Sequence, residues 1–206
     1  MSTSVLYSLT VLIWGSSWLA IHFQIGVVPP EIAIVYRFVL ASTLLVVWCL
    51  ARGISLRIAP RHHPYLALLG FSLFSLNYLL FYYAAFDLAT GLLAVIFSTM
   101  TVMNIFNSAL FLNHRIQKKT VVAVIFGLTG MGLVFWPELA TSRAQAVGAI
   151  GMSLVATYLA SIGNIVSARN QKHGISVASA NAIGMAYGAL FLFPFSFLSG
   201  APFVID

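Results

Sequence analysis

Apolar positions fall into seven long runs, residues 5–23, 32–50, 65–85, 91–112, 120–136, 147–168 and 177–198. The charges sit almost wholly in the gaps between them. The runs do not alternate, and each is far longer than the ~10 residues of a membrane-barrel strand. At ~1.5 Å per residue the shortest reaches about 26 Å, enough for a ~30 Å hydrocarbon core with slight thinning. In hydrocarbon every backbone polar group must be paired within its own segment. The pattern therefore predicts seven transmembrane helices and an all-α integral membrane protein. Composition agrees. The chain is 61% hydrophobic and 7% charged, against ~25% charged in a soluble domain, and its mean hydropathy is +1.00.

The signs of the charges add a topology. Arg52, Arg57 and Arg61 lie in the second gap, Arg115, Lys118 and Lys119 in the fourth, Arg169 and Lys172 in the sixth. Glu31, Asp87, Glu138 and Asp206 fall on the other side, and among loop residues only Arg143 breaks the pattern. Basic loops stay cytoplasmic, so the expectation is a multi-pass protein of the plasma (inner) membrane with a cytoplasmic N-terminus. The net charge of +6 is scattered among short loops, not gathered on one face, which excludes nucleic acid as a partner. The single cysteine, Cys49, excludes an intrachain disulfide and a cysteine metal cluster. Most gaps are short, so consecutive helices are expected to be antiparallel neighbours.

Sliding the chain along itself by 144 residues places Trp14 over Tyr158, Ser17 over Ser161, Ile21 over Ile165 and Arg37 over Asn181. Identity is low, but the charge pattern adds to it. The gap after the first run is acidic, and the gap after the sixth is basic. A five-helix unit repeated once must be inverted, because five is odd. Inverted repeats are a mark of secondary transporters, with the substrate site at mid-membrane. On this reading the second unit begins near Val147, has two helices here, and lacks about three. A natural seven-helix protein is the alternative.

The segments WGSSWLAIH and PPEIAIVYRFVLAS resemble the opening of the EamA domain of the drug/metabolite transporter superfamily. YYAAFDLATGLLAVIFSTMTVMNIFNSALFLNHRI is similar to that family's third and fourth helices, and GLTGMGLVF to its fifth. The resemblance implies a ten-helix carrier of small metabolites, often an exporter, built from two inverted repeats. Residues 1–137 would be the first repeat and 147–206 the start of the second. Two positions depart from the family pattern. Thr101 stands where a proline is usual in the fourth helix, which removes the usual cause of a kink there. His114 stands where glutamate is common at that helix's cytoplasmic end.

Chemistry at membrane depth is sparse. Arg37 is the one charged residue clearly inside a run, where an arginine costs about 2.5–3.5 kcal/mol on insertion scales. It either faces a cavity and binds an anionic group, or snorkels to the outer headgroups. Asn77, Tyr78, Asn104, Asn107 and Asn164 bring amides and a phenol into apolar surroundings, as substrate contacts or as glue between helices. Trp14 is mid-helix, with Gly15, Ser16 and Ser17 beside it. Trp14, Trp18, Tyr82 and Tyr83 are candidates for an aromatic wall against an apolar or aromatic substrate. Tyr82 and Tyr83 lie near a helix end, where interface belts collect such residues. The candidate substrate-binding residues are thus Trp14, Ser17, Arg37, Asn77, Tyr78, Asn104, Asn107 and Asn164. Gly127, Gly130 and Gly132 and the Gly184–Gly188 pair read as packing surfaces. Asp87 reads as a helix cap. The dispersed histidines His22, His62, His63, His114 and His173 have no metal-ligand spacing, and no cofactor is expected.

No Asp, Glu or Lys lies at a helix centre, so facilitated diffusion, exchange, or coupling through further helices fits better than a proton relay. The leading expectation is a secondary transporter of a small organic metabolite, an amino acid or amphipathic compound, exported by alternating access. Its partners are a small-molecule substrate and the lipid bilayer, with a homodimer left open. A seven-helix receptor would have an external N-terminus, and a retinal protein a lysine in the last run, which has none. An intramembrane enzyme would need a dyad or metal cluster at membrane depth, and none is visible. A non-transporting truncated relative is the remaining alternative.

Overall fold

The computed structural model describes residues 2–24, 28–113, 115–141 and 144–198. Among these residues every long regular element is a helix, and no strand occurs. The helices are α1 (Thr3–Gln24), α2 (Pro30–Ala51), α3 (His63–Phe71), α4 (Asn77–Ala84), α5 (Thr90–Ser98), α6 (Met100–Leu112), α7 (Lys118–Thr141), α8 (Ala144–Lys172) and α9 (Val177–Leu198). A π-helical stretch, Ser72–Leu76, joins α3 to α4. α5 and α6 are two halves of one apolar run. Six spans among the described residues are long and apolar enough to cross a membrane, and α7 is a seventh helix of 24 residues. The seven apolar runs thus became helices, and the protein is a multi-pass, all-α membrane protein. His114, Arg143 and Asp206 lie outside the described residues, as do the side chains of Trp18, His22 and Glu138.

Local chemistry sets the helix ends. Pro30 opens α2, where its missing N–H costs nothing. Gly53 and Gly174 take positive φ, 66° and 77°. They close α2 and α8 with the same hydrogen bond, Ile54 N to Cys49 O (2.8 Å) and Ile175 N to Asn170 O (3.1 Å). Asp87 does not cap α5. That helix begins after Ala89 with no side-chain cap.

Packing departs from the expectation of sequential neighbours. The most extensive contacts join α2 to α9, α3 to α9, α4 to α8 and α6 to α8. Without a hydrophobic force between helices in lipid, close approach of small residues selects the pairs. α8 turns Ala149, Ser153, Ala156, Thr157, Ala160 and Ser161 inward, all fully buried. A Cβ on Gly163 would lie 2.7 Å from Leu73 Cβ, and one on Gly188 2.8 Å from Phe74 O. The π stretch is therefore gripped by a glycine of α8 and a glycine of α9. Gly184 and Gly188 do pack as the sequence suggested. Gly127, Gly130 and Gly132 meet no such partner among the described residues: a Cβ on any of them has nothing within 4 Å.

Charge is segregated along the bundle. At one end the Ser179 hydroxyl donates to Ser55 O (2.8 Å) and the His62 and His173 rings meet at 5.5 Å. The second and sixth gaps, both basic, therefore lie together. At the other end the Tyr83 hydroxyl donates to the buried Glu31 carboxylate.

Asn107 Nδ2 donates to Ser161 Oγ at 2.8 Å, both buried, and so ties α6 to α8. Such bonds average ~0.6 kcal/mol. Asn107→Leu is expected to lower the thermal midpoint in mild detergent by no more than a few degrees. A collapse of the folded fraction would show that the amide does more than join helices.

Candidate functional site

A cavity of about 490 Å³ opens between α1, α2, the π stretch, α4, α5, α6 and α8. That volume suits a small molecule. Its walls are mainly apolar, with Trp14, Ser17, Arg37, Asn77, Tyr78 and Asn164 among the lining residues.

Irregular backbone shapes it. The Ser72 hydroxyl takes the Leu68 carbonyl (2.6 Å) where the π stretch begins, a side-chain bond that competes with the helix ladder. The wider π turn presents Leu73 and Phe74, then Asn77, to the cavity. The fourth apolar run breaks at Thr99 without any proline. The Thr99 hydroxyl and N–H both turn to Ile96 O (2.6 and 3.1 Å), and the Ser98 hydroxyl to Val95 O (2.7 Å). Hydroxyls bonding back to the preceding turn bend a helix as proline does. Phe97 and Met100, on either side of the break, both line the cavity.

Arg37 is half-buried and turned inward, about 10 Å along α2 from Pro30. One guanidinium nitrogen donates to the Tyr82 hydroxyl at 2.9 Å. The guanidinium carbon lies 5.7 Å from the ring centres of both Tyr78 and Tyr82. Two phenol faces stabilise a desolvated cation. Asn77 is 3% exposed, and its carbonyl oxygen has no hydrogen-bond partner. A buried acceptor in that state is costly unless a ligand or water supplies a donor. Trp14 meets Phe97 at 5.4 Å, and Phe97 meets Phe81 at 5.5 Å, so one wall is aromatic.

Six of the eight candidate residues converge here. Ser17 does so with its hydroxyl bonded back to Ile13 O (2.7 Å). Asn164 approaches Asn104 Oδ1 at 3.5 Å and Met100 Sδ at 3.4 Å. Asn104 lines a separate groove against Arg115 and Gln117, and Asn107 is spent on Ser161. Tyr82, weighed from the sequence as a wall or belt aromatic, was left out of the eight candidates. It is 1% exposed and belongs to Arg37, not to a lipid-facing belt. Its spacing of four from Tyr78 placed both phenols on one helix face and was the available signal.

Membrane-length helices enclose a mainly apolar cavity of small-molecule size that holds a few polar side chains, and this defines the chain as a helical, multi-pass membrane protein. The EamA-like transporter family model matches residues 1–136, and the chain belongs to that family. It is 28% identical to Protein PagO of Salmonella typhimurium over 141 residues, 68% of this chain and 46% of that one. It is 25% identical to an uncharacterized transporter of Archaeoglobus fulgidus over 191 residues, 93% of this chain and 66% of that protein. It is 26% identical to the uncharacterized transporter YoaV of Bacillus subtilis, over 91% of this chain and 64% of that one. The chain therefore spans about half to two thirds of the length of these relatives. No solved structure matches it.

Proposed function

We propose that the chain acts in a secondary carrier that exports a small organic molecule with an anionic or zwitterionic head and an apolar or aromatic body. The observation that carries this reading is the Arg37 guanidinium, held between Tyr78 and Tyr82 beside the unpaired Asn77 oxygen and the Trp14–Phe97–Phe81 wall. The guanidinium binds the carboxylate, the amide oxygen accepts from an ammonium or amide donor, and the aromatic wall takes the apolar body.

Movement in this reading is by alternating access between two inverted five-helix repeats, with residues 1–137 as the first. Two observations support this. α2 and α9 correspond under the 144-residue offset and form the most extensive helix contact. They also run antiparallel, since α2 ends and α9 begins at the basic end. A twofold axis in the membrane plane between them would produce this pairing. In this reading the membrane is the plasma (inner) membrane, and the basic end lies in the cytoplasm because loop arginines and lysines set orientation.

The test is efflux from a host lacking its own related exporters, with amino acids and amphipathic drugs as the panel. Cells expressing the protein should retain less of at least one carboxylate-bearing compound than cells with empty vector. Equal retention across the panel would reject the carrier reading in favour of a non-transporting relative.

A further inference from the structure

A second feature lies at the basic end, lined by residues other than those of the cavity. An apolar groove of about 420 Å³ runs between α3, α6 and α8, walled by Leu68, Phe111, Ile162 and Val166, and it ends on Tyr65 and Arg169. The Arg169 guanidinium carbon sits 3.2 Å from the Tyr65 ring centre. The Arg169 carbonyl is bonded to His173 Nδ1 at 2.9 Å, and the His173 ring meets His62. Arg61 Nε in turn donates to His62 Nε2 at 3.2 Å. Arg61, His62, His173 and Arg169 thus form one connected basic cluster, its fixed charges on the two arginines. Of the acidic side chains among the described residues, Glu31 lies at the far end of α2, and Asp87 lies beyond the far end of α4.

Two members of this region carry polar atoms with no hydrogen-bond partner. His62, 7% exposed, accepts at Nε2, so the neutral ring bears its proton on Nδ1, the unpartnered atom. Asn170 is fully buried and accepts from Arg169 Nη1 (3.1 Å) through Oδ1, while its Nδ2 has no partner. Both unsatisfied groups are donors. Donors and cations without a carboxylate nearby call for an acceptor of negative charge.

We propose that this end of the bundle is a binding site for one anionic phospholipid. Its phosphate rests on Arg169 and the Arg61–His62–His173 cluster, and an acyl chain fills the groove. The groove decides against a soluble anion, which would leave it unused. Leu68 and Phe111 are 42% and 55% exposed, an open apolar channel leading from the cations toward the hydrocarbon. Basic pockets between transmembrane helices at headgroup depth bind anionic lipid in this way.

The purified protein in mild detergent is titrated with phosphatidylglycerol, phosphatidylcholine and soluble glycerol phosphate. Native mass spectrometry reads the bound lipid, and the thermal midpoint is followed alongside. Phosphatidylglycerol should be retained and should raise the midpoint, whereas the other two should not. Arg169→Gln and Arg61→Gln should each weaken retention about fivefold, the effect of one surface cation on an anionic lipid. Arg61 is exposed, so its variant keeps the test open if Arg169→Gln fails to fold. Leu68→Trp should weaken retention with the charges intact, and Arg52→Gln at the same end should not. Equal retention of phosphatidylcholine would overturn the proposal as ordinary boundary lipid. Binding of glycerol phosphate unaffected by Leu68→Trp would overturn it in favour of a soluble anion.

Discussion

Arg37→Leu is expected to cut transport of a carboxylate-bearing substrate at least tenfold while the protein still inserts and folds. A hydrogen bond to a charged group contributes about 1.5–3 kcal/mol, and each 1.4 kcal/mol is tenfold in affinity. The stability effect has the opposite sign. An arginine at membrane depth costs about 2.5–3.5 kcal/mol to insert, and the leucine that replaces it removes that cost. Set against that gain are the contacts the guanidinium makes, the Tyr82 hydrogen bond and the two phenol faces among them. Expression should therefore hold or rise as transport falls. A neutral analogue of the same shape separates the roles. It should be carried by wild type and variant alike, with the rise in KM confined to the anionic compound. Equal loss for both compounds, together with a lowered thermal midpoint, would make Arg37 a structural residue.

Gly70→Ala is expected to destabilise the bundle by about 1–3 kcal/mol or more, the range for overpacking a close contact. A Cβ at Gly70 collides with the Gly184 carbonyl oxygen and lies 2.8 Å from Gly188 N and from Tyr187 Cβ. These are backbone atoms and a Cβ, not flexible side-chain ends, so only separation of α3 from α9 relieves the clash. That separation loosens the grip of Gly188 on the π stretch that presents Leu73, Phe74 and Asn77 to the cavity. Thermal unfolding of the purified protein measures the effect, with Gly127→Ala as the control. Gly127 has open space around it, and in a helix alanine is favoured over glycine by about 1 kcal/mol. The control should be as stable as wild type or slightly more so. Matching midpoints for the two variants would mean that α3 and α9 do not approach this closely.

The two families of glycines show where sequence reading stops. Gly184–Gly188 and Gly127–Gly130–Gly132 carry the same small-residue signal, yet α3 meets the first set and, among the described residues, no atom comes within 4 Å of a Cβ on the second. Small residues permit close approach but do not name the helix that approaches. The fourth apolar run is similar. Its length was legible, but the break came from the Ser98 and Thr99 hydroxyls, not from a proline. Side-chain bonds to the preceding turn are common at such residues, and sequence does not say which of them bends a helix.

The site was legible in its polar members and obscure in its apolar ones. Arg37, Asn77, Tyr78 and Asn164 stood out because polar groups are costly in hydrocarbon and therefore rare there. Phe81, Phe97 and Met100 did not, because an apolar side chain in an apolar run carries no contrast. Tyr82 was masked by its place near a helix end, where a belt residue and a cation's partner look alike.

By itself the sequence determined the solvent, the helices and the segregation of charge, since the hydrocarbon imposes these on each segment separately. Only the tertiary structure decided which helices touch, where α3–α4 and α5–α6 depart from regularity, and which of the eight candidates share the cavity. These depend on contacts between segments far apart in sequence. Six candidates meet in the cavity, and Asn107 is spent on a helix contact because Ser161 of α8 lies against it.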